Sequence, residues 1–214
     1  MKKPRVLLAD DHTLVLEGFK KLLDEHCEVV GSVEDGRSLL EAAQRLRPDI
    51  IALDISMPHL NGIDAAHHLQ KIVPEAKLIF ITMHGDQAYI SQAFKAGASG
   101  YLLKRSAGSG LMQAIQTVTS GNYYVTSLIA KDLVHAALDG THPPIIQSNQ
   151  LTARQREILQ LVAEGLAVKE IAATLSISPK TVEYHKSKVM EHLNLYTTAE
   201  LTKYALTHGL IPSE

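Results

Sequence analysis

Five short apolar runs, each followed by apolar residues at helical spacing, constrain this chain more than any other feature of its sequence. The runs are Arg5–Asp10, Cys27–Gly31, Asp49–Asp54, Lys77–Thr82 and Gly100–Lys104. Between them, Leu14, Val15, Phe19, Leu22 and Leu23 recur at the helical period, as do Leu39, Leu40, Ala43 and Leu46. Ile63, Ala66, Leu69 and Ile72 form the third such set, and Tyr89, Ile90, Ala93 and Phe94 the fourth. Leu111–Ser120 is the fifth helix, and Pro48, Pro74, Gly97 and Gly121 punctuate the series. The strands are nearly continuous apolar runs rather than alternating ones, as strands buried on both faces must be. The expected fold is therefore α/β, a five-stranded parallel doubly wound sheet with helices on both sides. In such sheets a functional site lies beyond the carboxyl ends of the strands.

The pattern changes after residue 122. A short helix is expected over Ser127–Leu138, then the Gly/Pro/polar stretch Asp139-Gly-Thr-His-Pro-Pro, then Gln147-Ser-Asn-Gln150. Beyond it every periodic segment is helical. This divides the chain into an α/β domain at 1–122, a linker with a short helix at 123–147, and a small all-α domain at 148–214. Residues 1–149 carry 14 Lys/Arg against 16 Asp/Glu, and residues 150–214 carry 7 against 7. Neither half has a basic excess, so any contact with nucleic acid has to come from a local arrangement of charge. The single Cys27 reads as a core thiol. No apolar run approaches the ~18 residues of a membrane span, which points to a cytoplasmic protein with no membrane partner.

The polar residues at the strand ends converge. Asp10 and Asp11 close the first strand, Asp54 the third, Thr82 the fourth and Lys104 the fifth. Each alone reads equally well as a strand-end polar group or a helix N-cap. Together they bring three carboxylates, a hydroxyl and an ammonium to one sheet edge. Carboxylates crowded in a cleft repel one another unless a cation is present. Hard cations such as Mg²⁺ prefer oxygen ligands and bind through one or two carboxylates, waters and phosphate oxygens. A carboxylate beside such a metal can attack phosphorus and become an aspartyl phosphate. Lys104 and Thr82 then suit the phosphoryl oxygens. A phosphatase of the haloacid-dehalogenase type requires a second Asp two residues beyond its nucleophile, and Ser56 occupies that position.

In the last domain, Thr152 is an N-cap and Gln155 completes a capping box, with Ile158, Leu159, Val162 and Leu166 as the apolar face. Val168–Leu175 is a short helix containing Ala172 and Ala173. Ser178 followed by Pro179 starts a third helix running to about Leu193. On a wheel of ~100° per residue, Val182, Val189 and Leu193 share the core stripe, and polar residues lie opposite. A short helix, a tight turn and a polar-faced helix make a helix-turn-helix whose second helix enters the major groove. A solvated face on a helical bundle is the plainer alternative for the polar stripe alone. Glu183, Tyr184 and Ser187 are the candidate base readers, with Glu183 able to accept from cytosine. Lys180, Thr181, His185, Lys186 and Lys188 are placed for phosphates, which position without specifying. Thr198–Leu210 is a fourth helix, serving either the bundle core or dimerisation.

The stretches Leu-Leu-Ala-Asp-Asp-His, Leu-Asp-Ile-Ser-Met-Pro-His-Leu-Asn-Gly, Ile-Thr-Met and Gly-Ala-Ser-Gly-Tyr-Leu-Leu-Lys carry a resemblance. Through them residues 1–125 resemble the flavodoxin-like receiver domain of bacterial two-component response regulators. Leu-Thr-Ala-Arg-Gln-Arg-Glu-Ile-Leu, Glu-Gly-Leu-Ala-Val-Lys-Glu-Ile-Ala and Ser-Pro-Lys-Thr-Val-Glu-Tyr-His make residues 148–212 similar to the LuxR-type helix-turn-helix of the NarL/FixJ group. The resemblance implies Asp54 as phosphoacceptor, Asp11 as a direct Mg²⁺ ligand, Asp10 acting through water, and the Ser56 backbone carbonyl as a further ligand. It implies Thr82 and Tyr101 as a switch pair, Tyr101 turning inward as Thr82 moves toward the phosphate; from the residues alone Tyr101 is a half-buried strand aromatic. It implies a histidine kinase as phosphodonor, double-stranded DNA as target, and a homodimer when phosphorylated or DNA-bound. The only catalysis expected is slow self-dephosphorylation, so the chain is not an enzyme in the ordinary sense. Gln155 and Glu183 stand where this group often has Glu and Lys. In the unphosphorylated chain the receiver is expected to cover the recognition helix or to hold the monomer.

Overall fold

The computed structural model describes residues 3–130 and 151–211. The first unit alternates strand and helix: β1 Arg5–Ala9, α1 Thr13–Leu23, β2 Glu28–Val33, α2 Gly36–Leu46, β3 Ile50–Leu53, α3 Gly62–Ile72, β4 Lys77–Thr82, α4 Gln87–Lys95, β5 Ala98–Leu103 and α5 Ala107–Thr119. All pairings are parallel and the strand order is β2-β1-β3-β4-β5, extended at its edge by β6, Tyr124–Val125. The sheet thus has six strands rather than five. Its last strand comes from the start of the segment read as linker, where two residues pair with Gly100 and Tyr101 and cover an otherwise open edge. Residues 127–130 are helical, and the rest of the helix expected over Ser127–Leu138 lies outside the described residues.

Right-handed crossovers put helices on both faces. One core packs Leu39, Ala43, Ile63, Leu69, Ile90 and Ala93 of α2, α3 and α4 against one side of the sheet. The other packs Leu16, Leu23, Leu111, Ile115 and Val118 of α1 and α5 against the opposite side. Continuous apolar strands are what this double burial requires, as in the wholly buried Ile50–Leu53.

The second unit has four helices: α6 Ala153–Ala163, α7 Val168–Thr174, α8 Pro179–Leu193 and α9 Thr198–Thr207. Its core contains Ile158, Leu159, Leu161, Ile171, Val182, Val189, Leu201 and Ala205. The expected caps are present. Thr152 and Gln155 form the capping box of α6, and Gly165, at φ 86°, turns the chain out of that helix. Ser178 Oγ accepts from the Thr181 amide at 3.1 Å, with Pro179 following at the first helical position. Ser178→Ala is expected to cost the helical domain about 1 kcal/mol, the usual worth of such a cap. Urea unfolding of the full chain checks this; an unchanged midpoint for the helical domain contradicts it. Among the described residues, no helix is long and apolar enough to cross a membrane.

Candidate phosphoacceptor site and nucleic-acid interface

Parallel pairing in register brings the strand ends to one edge. Ala9 lies opposite Leu53, and Thr82 opposite Leu103, so the residues that follow emerge side by side. Asp10 and Asp54 are buried at 2% and 3% exposure. Lys104 Nζ lies between them, 2.8 Å from Asp10 Oδ2 and 2.7 Å from Asp54 Oδ2. Asp54 Oδ1 accepts the Ile55 amide at 2.6 Å. Burial pushes the Asp54 carboxyl above its ordinary value; the Lys104 charge opposes that shift and the Asp10 charge adds to it. Burial by itself lowers Lys104, but the Asp54 and Asp10 carboxylates outweigh it and hold the ammonium above its usual range.

Two buried carboxylates therefore share one ammonium, and the partly buried Asp11 adds a third negative charge beside them. The ligand atoms of Asp10, Asp11 and His12 lie within 4.8 Å of one another. His12 Nδ1 is 2.7 Å from Asp11 Oδ1, and the His12 amide donates to Asp10 Oδ1 at 3.0 Å. An oxygen-rich, net-negative pocket of this kind fits a hard divalent cation.

Thr82 is fully buried, and its hydroxyl accepts the His84 amide at 3.3 Å. Tyr101 lies inside the protein, fully buried rather than half-buried as its strand position alone suggests. Its ring stacks on Phe80 at 6.3 Å and its hydroxyl donates to the His84 carbonyl at 2.9 Å. Burial, then the Asp54 charge, push its phenol far above the usual range. Ser56 is half-buried, and its hydroxyl lies 2.9 Å from His84 Nε2. That bond ties the β3–α3 loop to the β4–α4 loop. Nothing in the sequence marks His84 for this role, because the pairing spans two loops 28 residues apart.

On α8, Val182 and Val189 are buried. Lys180, Glu183, Tyr184, Ser187 and Lys188 are exposed, and Thr181, His185 and Lys186 are half-buried. Lys188 Nζ sits 2.7 Å from Glu191 in a surface pair of the kind that adds little stability. Tyr184 meets the His185 ring edge-on. The α/β domain does not cover this face. It meets the helical domain at α6 and, through Tyr89, at Gly209 just past α9, an arrangement the sequence does not disclose.

Residues 6–116 match the response regulator receiver domain family, and residues 149–205 match the luxR family of bacterial regulatory proteins. The transcriptional regulatory protein MctR of Rhizobium johnstonii is 37% identical over 211 residues, spanning 98% of this chain and 96% of MctR. The oxygen regulatory protein NreC of Staphylococcus epidermidis is 36% identical over 215 residues, spanning 97% of this chain and 99% of NreC. RcsB of Salmonella enterica serovar Typhimurium, solved bound to a promoter in the presence of a phosphomimetic, is similar with a TM-score of 0.59 and 28% identity, covering 95% of this chain and 98% of that one. A structure of two RcsB dimers bound to two parallel DNAs is similar with a TM-score of 0.58 and 27% identity, at 95% and 98% coverage.

Proposed function

The chain belongs to the two-component response regulators of the NarL/FixJ group, a receiver domain joined to a LuxR-type helix-turn-helix domain that binds DNA and regulates transcription, and from that membership we propose that a phosphoryl group on Asp54 sets its affinity for DNA. The observation that carries this reading is the buried Asp54 carboxylate held between the Ile55 amide and Lys104. A carboxylate oxygen of Asp54 bonds to phosphorus as the P–N bond of a kinase phosphohistidine breaks; the imidazole leaves and takes up its proton from water. Asp54, Asp11, the Ser56 backbone carbonyl and, through water, Asp10 would hold Mg²⁺, whose charge offsets that of the phosphoryl oxygens. Lys104 stays charged and stabilises the same oxygens, and Thr82 donates its hydroxyl to one of them. Tyr101 then keeps its inward place behind Thr82. Hydrolysis of the acyl phosphate by water is slow and resets the protein.

Lys180, Thr181, His185, Lys186 and Lys188 contact DNA phosphates, and Glu183, Tyr184 and Ser187 read bases. Two copies bind as a homodimer through α9, each placing α8 in a major groove. The protein works in the cytoplasm, with a receiver that runs through β6 at Tyr124–Val125, a linker, and a DNA-binding domain at 148–214. The test is selection from a pool of random duplexes, with and without acetyl phosphate and Mg²⁺. The wild type is expected to gain affinity on phosphorylation, and Asp54→Ala is not. Equal binding by both proteins under all conditions overturns the switch.

A further inference from the structure

Six glutamates lie in the described part of the helical domain, and five of them have a partner. Glu157 lies 3.0 Å from His68 Nε2 and accepts from Arg154 at 2.9 Å, and Glu164 accepts the His59 amide at 2.9 Å. Glu170 caps α7 by accepting the Ala167 amide at 2.7 Å. Glu191 holds Lys188 at 2.7 Å, and Glu200 accepts the Tyr196 and Thr197 amides at 2.8 Å. Glu183 has no hydrogen bond or ion pair from its side chain among the described residues, and it is exposed. Lys180 and Lys186, three residues to either side, are its neighbours on the helix surface, and neither is bonded to it.

The place of this open carboxylate gives it a consequence. Glu183 stands on α8 beside Tyr184 and one turn before Ser187. An α8 that enters a major groove carries the carboxylate between two rows of phosphates, which repel it. It also loses part of its water there, and an unpaired charge stripped of water is costly. Only a donor on a base edge offsets that cost. Guanine presents two acceptors, and thymine an acceptor and a methyl group. Adenine presents its N6 donor beside the N7 acceptor, which repels a carboxylate. Cytosine presents the N4 donor alone. The helical domain, with 7 Lys/Arg against 7 Asp/Glu from residue 150 onward, has no basic excess to mask the difference.

We propose that Glu183 determines the specificity of α8 by a double action: it fixes a C·G base pair in each half-site, and at every other base pair its charge lowers affinity. This rests on the placement of α8 in a major groove. Lys180 and Lys186 are left to the phosphates on either side. Discrimination then comes from rejecting wrong sites as well as from gaining the right one.

The test uses the full chain, with Glu183→Gln and Glu183→Ala, and selection from random duplexes in the presence of acetyl phosphate and Mg²⁺. Circular dichroism establishes that each variant is folded. The wild type is expected to select cytosine at one fixed position of each half-site, favoured about tenfold or more over the other bases. Glu183→Gln is expected to select adenine there, because a carboxamide accepts from N6 and donates to N7 together. Glu183→Ala is expected to lose the preference at that position, to keep the rest of the site, and to bind duplexes lacking the site more tightly than the wild type does. A merely structural role for Glu183 lowers affinity without changing the base selected. Cytosine retained by either variant overturns the assignment, and so does an alanine variant that binds every duplex more weakly. If the wild type selects no sequence at all, the placement of α8 in a major groove fails and the proposal with it.

Discussion

Replacing Lys104 with methionine is expected to destabilise the receiver by ~3–5 kcal/mol at neutral pH, the usual result of removing one partner from a buried ion pair. Lys104 is the ammonium between Asp10 and Asp54, whose side chains are 2% and 4% exposed. Without it, two carboxylates face each other away from water. The size of the effect depends on pH, and its sign follows from Asp54. Burial already raises that carboxyl, and Lys104 is the main influence restraining the rise. Removing Lys104 raises it further. A carboxyl raised in the folded state contributes stability that is complete below its unfolded value and is lost as pH rises through the folded one. The deficit of Lys104→Met is therefore largest near neutrality and shrinks on mild acidification, where the wild type shows no comparable recovery. Added Mg²⁺ is expected to recover part of the loss, because a ligand of the folded state alone stabilises it. Urea unfolding of both proteins at neutral and mildly acidic pH decides the matter. A deficit that is small, or equal at both pH values, refutes the account.

Gly62→Ala is expected to damage both stability and phosphoryl acceptance. Gly62 opens α3, and its amide donates to the Ile55 carbonyl at 2.8 Å. A β-carbon there would strike the Asp54 carbonyl oxygen and lie 2.9 Å from the Asp54 carbonyl carbon and 3.1 Å from the Ile55 α-carbon. These are backbone atoms, which cannot swing aside as a flexible side chain does. The helix or the phosphoacceptor must move. Overpacking of this kind costs about 1–3 kcal/mol, and a backbone clash belongs at the upper end or beyond. Because Asp54 is one side of the clash, acyl-phosphate formation is expected to fall well beyond what the lost stability explains. Denaturant melts and acetyl phosphate incorporation measure the two effects. Wild-type incorporation by a folded variant rules out the steric argument. The stretch Leu-Asn-Gly is fixed by this close approach, since Gly36 meets the Leu60 carbonyl in the same way from α2.

The receiver pocket was legible because few geometries are open to a series of apolar strands and amphipathic helices. Right-handed crossovers and a parallel sheet carry every strand end to one edge. Asp10, Asp54, Thr82 and Lys104 therefore had to meet, although they are spread along nearly a hundred residues. The caps of α6 and α8 were equally readable, because Thr152 with Gln155, and Ser178 with Pro179, act within one helical turn. By its strand position alone Tyr101 is a half-buried aromatic. Only packing shows it wholly inside, bonded to the His84 carbonyl.

Gln160, Glu157 and Glu164 mark where the sequence stops being informative. They lie on one side of α6, opposite its apolar face, and a polar stripe at helical spacing reads as solvated. In the folded chain Gln160 and Glu157 are buried, because the loop at Met57–Asn61 and the start of α3 arrive from the other domain. The sequence by itself determined the sheet, the convergence of carboxylates and lysine at its edge, and the helix-turn-helix, since each follows from local periodicity, local caps or the handedness of the chain. The tertiary structure alone decided which polar surface is exposed and how the two domains meet, since hydrogen bonds between residues a hundred positions apart leave no periodic trace in either partner.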